Sequence, residues 1–320
     1  MTMEASLGSA FEITIYRAGD RNVWDALVAQ ARNGHFQFLR DYMEYHADRF
    51  EDLSLLIWRG SRIVALMAGH RSGTAYYSHQ GLSFGGLIQH ADFSVNWVIP
   101  VMTKIRIWLQ QQGFKTWIYK TLPTLYHHQP AMSDHWALFV LGATWDYRNT
   151  SVTIDLSNSF SMHKNRKRAL SAVGKRELEY RESRDASLFH PILTDLLLRK
   201  FGRSPVHTQA EMQRLMDTFP ENIRLHLALR QETVFAGVLM YNYAGVAHAQ
   251  YIAATPDGEQ AEALTGLFHH LIQSIYHQER YFDFGICNEE NGAVLNEGLA
   301  RFKEGFGAGI TIFDAYRLEI

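Results

Sequence analysis

Leu55-Leu56-Ile57-Trp58-Arg59-Gly60-Ser61-Arg62-Ile63-Val64-Ala65 reads as two strands joined by a tight polar turn, because apolar, β-branched and aromatic residues flank a Gly-Ser pair that interrupts them. The pattern returns in Leu225-His226-Leu227-Ala228-Leu229-Arg230-Gln231-Glu232-Thr233-Val234-Phe235-Ala236-Gly237. Arg59 matches Arg230 and Ala65 matches Ala236, both at an offset of 171 (230 − 59 and 236 − 65). Self-similarity of this kind constrains architecture before any motif does.

Working outward, each hairpin leads through further strand-like segments into a long amphipathic helix and then a short aromatic strand. In the first half the helix is expected from about Phe93, behind Asp92 as N-cap, to Gly113, followed by Phe114-Lys115-Thr116-Trp117-Ile118-Tyr119. In the second it is expected from Glu259 to Glu279, followed by Tyr281-Phe282-Asp283-Phe284-Gly285. Three further helices are predicted ahead of the second hairpin: Met162 to Val173 with Gly174 as stop, Ala186 to Phe201, and Gln209 to Phe219 behind Thr208. Hairpin, strand, crossover helix and neighbouring strand make an α/β or α+β fold, with a mixed, largely antiparallel sheet flanked by helices in each half. The serine-rich stretch from Ser151 to Ser161 is the candidate junction, which divides the chain into domains 1–157 and 158–320. A length of 320 residues suits two such domains.

Hydrophobic residues make up 47% and charged residues 20% of the chain, which is enough apolar surface for two cores. The net charge of −2 supplies no global field toward nucleic acid or an anionic membrane. A single cysteine, Cys287, excludes an internal disulfide and suits a reducing compartment. Met1 to Ala10 lacks the basic and apolar regions of a signal peptide, and Pro100, Lys104 and Arg106 break the most apolar long segment, Phe93 to Leu109. These readings predict a cytoplasmic protein without a membrane span. His127-His128 and His269-His270 lack carboxylate–histidine metal spacing, and adjacent helical residues diverge by about 100°, so no metal is expected.

Three strings in order, His163-Lys164-Asn165-Arg166-Lys167-Arg168-Ala169-Leu170, Val246-Ala247-His248-Ala249-Gln250-Tyr251-Ile252-Ala253-Ala254, and Phe282-Asp283-Phe284-Gly285 with Arg301-Phe302-Lys303-Glu304-Gly305-Phe306-Gly307, together resemble the FemABX-like branch of the GNAT superfamily. The resemblance covers most of the chain, is strongest from Val152 onward, and is closest to bacterial members labelled GNAT N-acetyltransferases. It implies tandem GNAT-like domains, a donor acyl group held near the sheet of the second half, and transfer to an amine of a small or sugar-linked acceptor. The implied donor is acyl-CoA, with aminoacyl-tRNA, as in Fem proteins, as the alternative. A catalytically inactive double-GNAT binding protein is a further reading. Two departures stand out. The Arg-x-x-Gly-x-Gly phosphate loop of acetyl-CoA-dependent members is replaced by Thr255-Pro256-Asp257-Gly258-Glu259-Gln260-Ala261, whose acids oppose phosphate at a helix start. The helical arm of some Fem aminoacyltransferases is missing.

Amine acylation needs a neutral nucleophile, donors for the developing oxyanion and a proton path. In the resemblance Lys303 stabilises the oxyanion; a solvated lysine near a helix C-terminus is the plainer alternative. Asp283, at the end of a strand, either positions the amine or accepts backbone hydrogen bonds from the Asn288-to-Gly292 loop. His248 is a candidate base and Tyr251 a candidate acid. Three apart on one strand, they point to opposite faces unless a bulge intervenes. Arg166, Lys167 and Arg168, with Lys164, Lys175 and Arg176, concentrate positive charge suited to the phosphates of coenzyme A or a tRNA end, or form a solvated basic face. Asn291 and Glu297 are candidate acceptor contacts in a polar run that also suits capping.

Overall fold

The computed structural model describes residues 10–174 and 176–320. Lys175 and the Met1-to-Ser9 part of the N-terminal reading lie outside the described residues. The chain divides into two compact units, one of residues up to 149 with 312–320, the other of residues 150–311.

In the first unit, β1 (Phe11–Ile15) is followed by helices α1 (Arg21–Gln30) and α2 (Arg40–Met43), then β2 (Glu51–Asp52), β3 (Leu55–Arg59), β4 (Arg62–Met67), β5 (His70–Ser72), β6 (Ala75–Tyr77) and β7 (Leu87–Gln89). Helix α3 (Val95–Gln111), β8 (Thr116–Lys120), α4 (Ser133–Val140) and the start of β9 (Thr144–Asp155) follow. The predicted hairpin is β3–β4, whose turn needs the left-handed φ of +62° at Gly60. β1, β3, β4 and β7 pair antiparallel in that order, whereas β6 and β8 pair parallel. Helix α3 starts two residues later than predicted. Ser94, accepting from the Asn96 N–H at 3.3 Å, is its cap, and Asp92 instead pairs with Arg62 at 2.6 Å. Trp117, Tyr119, Val101, Ile105 and Leu109 are fully or almost fully buried in this unit's core.

In the second unit, α5 (Lys164–Val173), β10 (Glu179–Ser183), α6 (His190–Phe201) and α7 (Gln209–Thr218) precede the second hairpin, β11 (Ile223–Arg230) and β12 (Thr233–Tyr243). The capping box Thr208–Glu211 starts α7. Then come β13 (Val246–Ala254), α8 (Pro256–Gln260), α9 (Ala263–His270), β14 (Tyr281–Ile286), the short β15 (Asn288–Glu289) and β16 (Val294–Leu295), helix α10 (Glu297–Glu304) and the start of β17 (Gly309–Glu319). The order is β10-β11-β12-β13-β14 and then residues 150–155 of β9, antiparallel except for β13–β14.

The single helix expected from Glu259 to Glu279 is broken. Glu262 sits in the left-handed region at φ +55° between α8 and α9, and a π-helical turn, Leu271–Ile275, ends the segment. Helix α9 packs so closely on β10 that a Cβ on Gly266 would stand 2.0 Å from the Tyr180 hydroxyl. Phe268 is fully buried among Phe282, Phe284, Phe302 and Phe306, all with ring centroids within 6.1 Å of its own. Residues 312–320, read from sequence as the end of the second domain, cluster with the first unit because 315–319 pair with 116–120. Among the described residues no helix is long and apolar enough to cross a membrane.

Candidate active site

Two irregularities in the second sheet build the site. Parallel pairing of β13 with β14 covers only Val246–His248 against Tyr281–Asp283. Beyond it β14 bulges against β9, where Asp283 faces Thr153 and the next pair is Ile286 with Ser151. Gly285 takes a φ of +79° there, which glycine adopts without steric cost. The second irregularity lies between β12 and β13: Met240 faces Ala249 but Leu239 faces Tyr251, so Gln250 is an extra residue. His248 faces Tyr241 and Tyr251 faces Leu239. Since Tyr241 and Leu239 are two apart, His248 and Tyr251 share one face, the outcome strict alternation denies and a bulge restores.

Asp283 is fully buried on this face. Its Oδ2 is 2.6 Å from His248 Nδ1, and its Oδ1 accepts from the Ser151 hydroxyl at 2.6 Å and the Thr153 hydroxyl at 2.7 Å. Burial alone raises the carboxyl pKa, but the His248 hydrogen bond and charge and the two hydroxyls outweigh it, leaving Asp283 below the usual carboxylate value. An ionised Asp283 selects the His248 tautomer with the proton on Nδ1 and leaves the Nε2 lone pair open. Among the described residues Nε2 has no hydrogen-bond partner, and the His248 side chain keeps 14% of its exposure. Ser151 and Thr153 are unrecognised in the sequence reading, which took their segment as a domain junction.

Lys303 projects from α10 and is only 3% exposed. Its Nζ donates to the carbonyls of Gly285 at 2.9 Å and Ile286 at 2.7 Å, which the β14 bulge turns away from the ladder. Burial lowers its pKa to about 8, against the opposing pull of Asp283 and Cys287. It is therefore not a solvated lysine. A Cβ built on Gly285 would lie 3.5 Å from His248 Cε1 and 4.0 Å from Lys303 Nζ, so the imidazole edge and the ammonium converge over that glycine. Gly285→Ala is expected to cost about 1 kcal/mol of stability through the positive φ and to reduce turnover by narrowing this gap; thermal melting and steady-state kinetics would measure the two effects.

Tyr251 forms a second pair on the same face. Its hydroxyl is 2.6 Å from His207 Nδ1. His207 is buried in the loop before α7, its carbonyl held by His190 Nε2 at 3.0 Å and its neighbour Thr208 fixed by the capping box. In a chain with 16 histidines nothing in the sequence singles out His207.

Residues 158–304 match the family model of the acetyltransferase (GNAT) domain. These residues of the second unit therefore form a GNAT-type domain. Among solved structures, FemX is similar over 97% of both chains, at 9% identity and a TM-score of 0.65. L-PGS from Bacillus licheniformis is similar over 94% of this chain and 91% of its own, at 12% identity and a TM-score of 0.58. A tandem GNAT protein from the clavulanic acid biosynthesis pathway, solved without AcCoA, is similar over 97% of this chain and 98% of its own, at 11% identity and a TM-score of 0.53. These likenesses establish the fold. No curated protein matches the sequence.

Within the GNAT domain, the helix start after β13 does not fit a pyrophosphate. The Gly258 N–H is already capped by Thr255 Oγ1 at 3.0 Å, and a Cβ there would stand 1.9 Å from the Phe235 carbonyl, so this glycine serves packing. Glu262 stands at the N-cap of α9, its carboxylate accepting from Thr265 Oγ1 at 2.6 Å, and Glu259 pairs with Lys200 at 3.0 Å. Both acids thus put negative charge close to the start of α9, where it opposes a pyrophosphate.

The basic helix divides. Arg166 turns inward, bonding Thr265 at 2.6 Å, Glu262 at 3.4 Å and the Phe302 carbonyl at 3.3 Å, with its guanidinium over the Phe302 ring at 4.3 Å. Arg166 thus fastens α5 to α9 and α10, and its Nε–H has no hydrogen-bond partner among the described residues. Lys167 and Arg168 stay exposed, and Lys167 with Asn158, Ser161, Gln273, Phe160 and Met162 lines a shallow pocket of mixed polarity. Asn291, at φ +52°, and Glu297, ion-paired with Arg301 at 3.8 Å, lie on the surface and make no hydrogen bond with the Asp283 group. Among the described residues no three His, Cys, Asp or Glu side chains are grouped to hold a metal.

Proposed function

We propose that the second unit acylates an amine, on a small or sugar-linked acceptor, at the face shared by His248, Asp283, Lys303 and Tyr251. The observation that carries this reading is the buried Asp283–His248 pair beside Lys303 at Gly285, where the parallel pair β13–β14 opens. His248 Nε2 takes the proton from the attacking amine, and the Asp283 carboxylate stabilises the imidazolium that results. The amine nitrogen bonds to the acyl carbon, and charge builds on the carbonyl oxygen where the Lys303 ammonium offers its remaining N–H. As the bond from acyl carbon to leaving atom breaks, the Tyr251 hydroxyl donates its proton to that atom. His207 positions this hydroxyl.

The acids at Glu259 and Glu262 bear on the donor. An acyl-CoA would place its pyrophosphate at the helix start they occupy, so they favour the aminoacyl-tRNA alternative, whose phosphates do not require that loop. Thermal melting with coenzyme A and acetyl-CoA tests this, since a ligand specific to the folded state raises the melting temperature. The expected result is no shift, together with amine acylation from charged tRNA that ribonuclease abolishes. A concentration-dependent shift, weakened in Lys167→Ala/Arg168→Ala, would return the donor to acyl-CoA.

A further inference from the structure

The parallel pair of the first unit, Ala75–Tyr77 of β6 with Thr116–Ile118 of β8, ends after three residues, where the Ser78 N–H bonds the Ile118 carbonyl at 2.9 Å. β8 runs on to Lys120 while residues 78–82 turn away. Lys120 is half-buried. Its Nζ donates to the Leu82 carbonyl, and no carboxylate among the described residues forms an ion pair with it. An ammonium has three N–H donors and one is used here. Sunken cations are as a rule paired, because an uncompensated charge away from water is costly.

His79 lies in the same segment, between Ser78, whose hydroxyl accepts from the Lys120 N–H, and Leu82; it is 2% exposed, with a φ of +62° that few non-glycine residues adopt. Its Nδ1 is buried and has no hydrogen-bond partner among the described residues. Burial pushes the His79 pKa well down, and the charges of His70, His46, Lys120 and Arg40 push it further. Phe50 packs on His79 with ring centroids 4.9 Å apart, and Tyr77 stacks on His70 at 5.4 Å. His70 itself is satisfied by Gln80 at 3.1 Å. Thus one segment brings together a cation with spare donors and, packed among aromatic rings, an imidazole nitrogen without a partner. What this set lacks is an acceptor carrying negative charge.

We infer that the first unit holds a second ligand site, in which Lys120 and the Nδ1–H tautomer of His79 bind an oxyanion, the phosphate or carboxylate group of a small molecule. Like the Lys303 group of the second unit, the site lies beyond the end of a short parallel strand pair, although Lys120 stands on the paired strand and Lys303 on a helix. Lys120 Nζ bonds the Leu82 carbonyl, and Lys303 Nζ those of Gly285 and Ile286. The unliganded ammonium bears its desolvation alone, and burial lowers its pKa to about 7. A bound oxyanion restores the lost charge stabilisation and supplies acceptors for both groups.

The test melts the full chain in inorganic phosphate, in acetate, and in chloride at matched ionic strength, for the wild type, Lys120→Met and Lys120→Gln. The expected result is a saturable rise of about 2–4 °C in phosphate or acetate over chloride, absent from whichever lysine variant folds. A response to phosphate alone assigns the group as phosphate, and a response to acetate alone as carboxylate. Equal melting of the wild type in all three salts, or a lysine variant that responds as the wild type does, would overturn the site.

Discussion

His248→Gln is expected to lower kcat/KM for amine acylation by about 10²–10⁴-fold, the usual contribution of a positioned general base, with little loss of fold. Glutamine is the informative replacement because its amide can still donate to Asp283, whereas His248→Ala would leave a buried carboxylate with one partner fewer. Losing a buried charge's partner costs about 3–5 kcal/mol and would confuse catalysis with stability. Asp283→Asn should act in the same direction. An amide in place of the carboxylate no longer selects the Nδ1–H tautomer, and it stabilises no imidazolium. Circular dichroism melting beside steady-state kinetics separates the two effects: the variants should melt near the wild type while turning over far more slowly.

Raising the pH through 8 should move stability and activity in opposite directions, both through Lys303. In the unfolded chain a lysine titrates near ~10.4, whereas folded Lys303 titrates at about 8. Below the lower value both states hold the proton and the cost of burying the ammonium is constant. Between the two values the unfolded state binds more protons, so stability rises with pH, by about 3 kcal/mol when the window has been crossed. Lys120, lowered to about 7, acts with the same sign. The difference between wild type and Lys303→Met isolates the Lys303 part. Activity falls over the same range because the neutral amine stabilises an oxyanion poorly. Lys303→Met should therefore lose turnover and lose this part of the pH dependence of stability. A solvated lysine would do neither.

The two hairpins were legible because each joins apolar strands through a tight polar turn, and the repeat followed from them. The break in the second long helix was not legible. Glu262 enters the left-handed region with no glycine or proline to mark the place, and the close approach of Gly266 to Tyr180 belongs to tertiary packing. Asp283, His248, Tyr251 and Lys303 were each named from sequence, but their grouping depends on events without a local signature. A bulge at Gln250 puts His248 and Tyr251 on one face, and a register of three residues joins β13 to β14. Ser151 and Thr153 alternate as a strand would, yet only the β9–β14 register reveals that both hydroxyls meet Asp283. Arg166 is the reverse case. Charge in a basic run suggested a ligand, while its partners, Thr265 and the Phe302 ring, come from distant segments that composition does not report.

The most direct measurement is mass spectrometry of acyl transfer to a panel of primary amines from acyl-CoAs and aminoacyl-tRNAs, with wild type and His248→Gln side by side. Transfer from one donor class by the wild type, reduced at least about 100-fold in the folded variant, is the predicted result. Transfer at equal rates by both proteins would contradict the assignment of this face as the active site.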